Sequence, residues 1–150
     1  MGENVAIGFI DSSYGLKPVG TIRIIENDFI VEIIDPQIVD QTRCIYAFLV
    51  GDEVVRAGST QKQLRIRMRE WQRDVSKALK GLKSATPQKE AIIWREILPK
   101  GARGKIYARM GLCTQTAFGQ LNIFHVEEAA LIAKFQPRLC WDRARFKNAE

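Results

Sequence analysis

The chain has 150 residues, 46% of them hydrophobic and 27% charged, with a formal net charge of +6. That length suits a single domain able to bury a core without disulfides, and the composition is that of an ordinary soluble globular protein. No run of about 18 apolar residues exists, so no membrane span is expected, and the opening MGENVAIGFIDSSYG lacks the basic-then-apolar pattern of a secretory signal. Cys44, Cys113 and Cys140 are widely spaced and odd in number, which excludes a disulfide framework and fits a reducing cytoplasm. The single histidine, His125, argues against a His-based zinc site.

The charge is unevenly divided. From Arg56 to Arg109 there are fifteen Lys/Arg against four Asp/Glu, a local net of +11, while the remainder holds eight against thirteen, a net of −5. Positive charge concentrated in one third of a chain suits a polyanion such as DNA or RNA, although a solvated basic surface would look the same.

In chain order, Gly20 to Asp35 reads as a hairpin: two β-branched runs flank Glu26-Asn27-Asp28, and Pro36 stops the second. Residues 44–50, CIYAFLV, are the continuous apolar run of a buried strand. A turn at Gly51-Asp52 leads to a second strand over 53–58. Thr60 is expected to open a helix, with Leu64, Met68, Trp71, Val75 and Leu79 forming one apolar stripe, ending near Gly81. A loop follows, then a helix from about Pro87 to Leu98, stopped by Pro99 and Gly101. A third strand covers 105–110, and 111–120 reads as a loop whose shape the sequence leaves open. The last helix spans about 125–136 and stops at Pro137. A basic tail with Trp141 and Phe146 closes the chain. The order is that of an α+β fold: a small mixed or antiparallel sheet, made of the hairpin 44–58 and the strand near 105–110, flanked by helices. Residues 1–43 are expected to form an N-terminal β-hairpin extension to a 44–150 unit.

Several fragments carry chemistry by their order and spacing: Cys44-Ile45-Tyr46, then Arg56-Ala57-Gly58, then Arg67 in a helix, then Glu128 in Glu-Ala-Ala-Leu-Ile, with Pro137 nine residues on. Together, over about residues 44 to 141, this pattern resembles the GIY-YIG nucleases. Four positions depart from that family. Cys44 replaces the first glycine and Arg56 the tyrosine of the second half-motif. Trp71 stands four after Arg67, where members often carry His or Tyr, and Cys140 stands where an asparagine is usual.

The resemblance implies a GIY-YIG-like endonuclease that hydrolyses duplex DNA with Mg²⁺ (or Mn²⁺), in the host cytoplasm if phage-encoded. It further implies a homo-oligomer wherever both strands are cut. The catalytic residues it implies are Tyr46, Arg56, Gly58, Arg67 and Glu128, with Glu128 holding the metal. Residue chemistry points the same way. Phosphodiester cleavage needs an activated oxygen nucleophile and charge neutralisation in the transition state. A carboxylate can hold Mg²⁺, an arginine can fork onto two phosphate oxygens, and a tyrosine beside cations can serve as general base. Arg56 would supply a second cation in place of the missing tyrosine.

Each residue also has a plainer reading. Tyr46 in an apolar strand can be a core aromatic with a satisfied hydroxyl. Gly58 can be a turn residue, or can let backbone approach phosphate. Arg67 and Arg65 lie about equally far on either side of the apolar stripe, at about 100° per residue, so geometry alone leaves both open; spacing from Gly58 favours Arg67. Glu128 shares an inward face with Leu131, Ile132 and Phe135, where a carboxylate needs a metal or an ion pair. Glu127 points about 90° to the side. Arg65, Arg69, Arg73 and Lys77 would be DNA phosphate contacts beside a nuclease site and a solvated face otherwise. A DNA- or RNA-binding protein on the same scaffold, without catalysis, is the competing reading.

Overall fold

Alternating β-branched residues and a tight turn, with Glu26 in the left-handed region at φ 56°, make the first hairpin. Its strands are β1 (Lys17–Ile25) and β2 (Asp28–Ile33). A computed structural model describes residues 9–140; the expected basic tail, with Trp141 and Phe146, lies outside the described residues. The apolar run becomes β3 (Cys44–Val50), buried along nearly its whole length, and Gly51 at φ 62° turns it into β4 (Glu53–Thr60). β5 (Gly104–Met110) lies between β3 and β1. The five strands run in the order β2-β1-β5-β3-β4, and every neighbouring pair is antiparallel. The N-terminal hairpin is thus hydrogen-bonded, through β1 and β5, into the same sheet as the 44–58 hairpin.

The helices are α1 (Leu64–Leu79), α2 (Gln88–Ile97) and α3 (Phe124–Phe135). Strand alternation sends Cys44, Tyr46 and Phe48 to one sheet face, where they meet the apolar sides of α1 and α2. Ile45, Ala47 and Leu49 go to the other face and meet Leu131 and Ile132 of α3. The first core is aromatic at its centre: the Phe48 ring lies 5.2 Å from Trp71 and 6.0 Å from Trp94, which itself lies 4.8 Å from Phe29.

Two boundaries differ from the sequence expectation. The first helix begins at Leu64, not Thr60, because Thr60 extends β4 opposite Cys44 and its hydroxyl accepts from the Lys62 N–H at 3.0 Å. Two N–H groups of its first turn are satisfied by the Gln41 and Val39 carbonyls, both at 2.9 Å, in place of a side-chain cap. The stretch expected to be a loop of open shape forms a second, two-stranded antiparallel ribbon, β6 (Cys113–Thr116) and β7 (Gly119–Asn122). Among the described residues, no helix is long and apolar enough to cross a membrane.

Truncating the centre of the aromatic core, Phe48→Ala, should cost about 3–5 kcal/mol. Ile92→Ala, on the exposed side of α2, should stay within about 0.5 kcal/mol. Denaturant midpoints of the two variants check this; equal losses would mean that the core is not centred on Phe48.

Candidate functional site

Tyr46 and Gly58 face each other across β3 and β4. A methyl group built on Gly58 would lie 2.5 Å from both Cζ and Oη of Tyr46, so glycine is required there to seat the phenol ring. The Cβ side of Gly58 is filled by this ring. Tyr46 is 1% exposed, and its hydroxyl accepts from Trp71 Nε1 at 2.8 Å and from Arg67 Nε at 3.1 Å. Among the sequence alternatives, then, Arg67 and not Arg65 reaches Tyr46; Arg65 turns to Asp40. A general base must touch the proton it takes. In this conformation Tyr46 is closed over by its two donors, as in the plainer reading of a core aromatic with a satisfied hydroxyl.

Arg67 is the more accessible member of this group. Its Nη1 lies 3.1 Å from Glu70 Oε1, and the same carboxylate receives Lys62 Nζ at 2.5 Å. Hydrogen bonding from Lys62 above all, with help from Arg67, holds the Glu70 carboxyl below its usual range. Burial opposes the charge on Arg67, but its contacts with Tyr46 and Glu70 outweigh this and push its pKa up. The cation is therefore permanent and fixed in place by a polar network.

Arg56, the candidate second cation, is committed to an ion pair in this structure. Its side chain is 12% exposed and lies 3.0 Å from Glu90, itself 8% exposed, and it also donates to the Leu139 carbonyl. β4 turns Arg56 toward the first turn of α2, where Glu90 is buried, and the two charges compensate each other. Both guanidinium groups lie over the Trp71 ring, Arg56 at 5.0 Å and Arg67 at 5.3 Å from its centroid. Cys44, at the first motif position, has its thiol pushed up to about 11 by burial, so it stays protonated at neutral pH.

Glu128 approaches from the other face. Helix α3 packs opposite α1 and brings its carboxylate to Ser59, whose hydroxyl donates to Glu128 Oε1 at 2.7 Å. Ser59 follows Gly58 directly, and β4 is an edge strand. Tyr46 on one face, with Arg67 on its hydroxyl, and Glu128 on the other thus meet two consecutive residues, Gly58 and Ser59, near the end of β4. Glu127, expected to point sideways, does so, but not into solvent: it pairs with Arg109 Nη2 at 2.5 Å and accepts from Leu112 N–H at 2.8 Å. On α1, Arg69, Arg73 and Lys77 share the exposed side, with Arg73 2.8 Å from Asp74.

Sequence reasoning missed Ser59, Glu70 and Glu90. Only Trp71 left a usable signal, since a buried indole N–H needs an acceptor and Tyr46 was the polar atom at hand.

No family model matches the chain, and no curated protein matches it. Among solved structures, a mutant of bacteriophage T4 EndoII superposes with a TM-score of 0.62 at 20% identity, covering 89% of this chain and 97% of that one. The chain has the fold of EndoII. That agrees with its sequence likeness to the endonuclease II of T-even bacteriophages, carried by the Ile-Tyr-Ala strand, the Leu-Arg-x-Arg helix, the Tyr-Ala-Arg strand and the helix ending near Phe-x-Pro. Restriction endonuclease HPY188I, in complex with product DNA, aligns with a TM-score of 0.48 at 9% identity, covering 83% of this chain and 76% of that one.

Two substitutions test this geometry. Gly58→Ala should displace the Tyr46 ring and destabilise by about 1–3 kcal/mol, read as a lowered unfolding midpoint. Glu127→Gln should cost about 1–3 kcal/mol near neutral pH, because it leaves Arg109 part-buried without its partner. Burial raises the Glu127 carboxyl, but Arg109 and the Leu112 N–H outweigh it and leave it below its ordinary value of 4.5. A depressed carboxyl stabilises fully above that value, and the effect is lost as the pH falls through the folded one. The gap between wild type and Glu127→Gln should accordingly narrow in acid; a gap of constant size from neutral to strongly acidic pH would contradict the pairing.

Proposed function

We propose that this protein is a divalent-metal-dependent endonuclease that hydrolyses phosphodiester bonds in duplex DNA. The observation that carries the reading is the arrangement near the end of β4: a fixed, part-exposed Arg67 held on the Tyr46 hydroxyl beside Gly58, and the Glu128 carboxylate bonded to Ser59 from the other face. The fold shared with EndoII supports it, as does the +11 segment from Arg56 to Arg109.

Glu128 and the Ser59 hydroxyl are hard oxygen donors, which suits Mg²⁺ or Mn²⁺. No cluster of three or more His, Cys, Asp or Glu occurs among the described residues. Mg²⁺ usually keeps several waters and takes further ligands from substrate phosphate. When bound, the ion supplies an activated water and offsets charge on the phosphoryl group. Arg67 binds the non-bridging phosphate oxygens, giving up Glu70 as it does so, and stabilises the charge that develops on them. Tyr46 and Trp71 hold Arg67 in register: the phenol oxygen fixes Nε and the indole ring supports the guanidinium plane. Arg56 and Glu90 brace the same ring from within. Arg69, Arg73 and Lys77, with Arg65 at the end of the row, contact flanking phosphates without reading sequence. One such site handles one strand, so a double-strand cut needs a homo-oligomer. The free cysteines of the described residues suit a reducing compartment such as the cytoplasm.

A second reading, a DNA-binding protein without catalysis, is favoured by the burial of Tyr46 and the compensation of Arg56. Incubation with supercoiled plasmid, with Mg²⁺ and with EDTA, separates the two. Metal-dependent nicking is expected, abolished by Glu128→Gln with the fold retained. Arg67→Ala should lower the rate about 10²–10³-fold while Arg69→Ala leaves it nearly intact. Tyr46→Phe should leave part of the activity if the phenol positions Arg67, and none if it is the base. Tight, salt-dependent duplex binding with no cutting in any divalent metal would establish the second reading, and preference for RNA over duplex DNA in competition would remove both.

A further inference from the structure

The basic helix supplies contacts that would hold any duplex, and none of the groups at the end of β4 reads a base. One element remains that the nuclease reading does not use. The ribbon β6–β7 stands outside the main sheet, and its residues Cys113, Thr114, Gln115, Gln120 and Leu121 are exposed. A two-stranded ribbon without a covering layer is marginally stable in water on its own. Here the protein spends several contacts on its base. Gly111 N–H donates to the Arg43 carbonyl at 2.8 Å, Ile123 N–H to the Leu112 carbonyl at 2.8 Å, and Asn122 bridges the Gly111 carbonyl and the Phe124 N–H. Glu127 holds the Leu112 N–H while paired to Arg109.

Position and composition both bear on its use. Cys44 pairs with Thr60 on one side and with Met110 on the other. The exit of β4 into α1 and the exit of β5 into the ribbon therefore lie at one end of the sheet. Tyr46 lies two residues in from that end, and the ribbon leads directly into α3, which carries Glu128. From Met110 to Phe124 the chain has no charged residue, in a protein where 27% of residues are charged. Its polar groups are amides and hydroxyls. Gln115 and Gln120 are directly opposed across the two strands, so their side chains share one face. At the tip, Gly119 at φ 99° closes the turn and Phe118 is 90% exposed.

We propose that the β6–β7 ribbon enters the major groove of the bound duplex and reads bases there, with Gln115 and Gln120 facing adenine and Phe118 packing on thymine methyl groups. The major groove admits a two-stranded ribbon, glutamine pairs with adenine through N6 and N7, and an aromatic ring suits the thymine methyl. An uncharged surface flanked by basic ones is the division expected where phosphates position and base edges specify. This assignment rests on the nuclease reading above in one respect, that the ligand is duplex DNA.

The test uses the full chain in EDTA, so that binding is read without cutting. Bound duplexes are selected from a randomised pool by wild type and by the double variant Gln115→Ala/Gln120→Ala. Both side chains are exposed, and thermal unfolding verifies that the variant folds. Wild type should enrich adenine-containing sites. Replacing the enriched adenines by 7-deazaadenine, which removes only the N7 acceptor, should weaken wild-type binding about tenfold. The variant should keep the salt dependence of binding, lose the preference and be indifferent to the 7-deaza base. If wild type binds duplex DNA but enriches nothing, or if the variant enriches the same sites as strongly, the ribbon assignment is overturned and the DNA reading stands. If Phe118→Ala lowers the oligomeric state in light scattering and leaves the enriched sites unchanged, the ribbon joins copies of this chain and the assignment is likewise overturned. Failure of wild type to bind duplex DNA even at low salt overturns both.

Discussion

A single buried hydroxyl joins the fold to the candidate site. Tyr46 sits in the central apolar strand, where a phenol oxygen cut off from water must find partners, and it finds the indole of Trp71 and the guanidinium of Arg67. Both donors belong to α1. Their bonds set the rotation of that helix against the sheet, and they do so on the side where its apolar stripe already requires contact. With the rotation fixed, Arg67 lies at the edge of the core with one nitrogen committed inward and the rest of its fork near the surface. Gly58 completes the arrangement, because any larger residue would push the phenol off its partners.

Charge compensation explains why a chain with so many arginines can place them near one another. Arg56 and Arg67 both approach Trp71, and each has its own carboxylate, Glu90 from α2 and Glu70 from α1. The pair with Glu90 is almost wholly buried and cannot be exchanged for a phosphate without exposing a desolvated acid. The pair with Glu70 is more open, with side chains 30% and 19% exposed. Two arginines that look equivalent in the sequence are thereby given different surroundings by their acidic neighbours. The same logic separates Glu127 from Glu128. Glu127 is engaged by Arg109 and by the backbone at the root of the ribbon, while Glu128 on the next position of the same helix accepts from the Ser59 hydroxyl on the edge strand.

This arrangement also distributes rigidity. The sheet and α1 are tied by aromatic packing and buried hydrogen bonds, so Arg67 is held on rigid elements. The ribbon has neither, and depends on its backbone bonds to Arg43, Leu112 and Gly111 and on Glu127. An element that must enter a groove and adapt to it is served by that combination of a fixed root and an uncovered body.

The α+β class, the two hairpins, the three helices and the apolar stripe of α1 were legible in the sequence, because they follow from local periodicity and turn chemistry: CIYAFLV, short, apolar and followed by a Gly-Asp turn, reads as a buried strand, and Leu64 to Leu79 repeats at helical spacing. The candidate residues were legible as types in an order. Other features were not, because they depend on which residues from distant segments share a face. Arg65 and Arg67 flank the stripe alike; spacing from Gly58 favoured Arg67, and the contact with Tyr46, 21 residues away in the chain, separates them in space. Arg56 reads as a spare cation until α2 folds over it and delivers Glu90 from 34 residues away. The stretch 111–120 carries no strong periodicity, and pairing makes a ribbon of it. Sequence thus determined the elements and the chemical inventory; tertiary structure decided the partners, because burial and charge compensation are settled by neighbours in space.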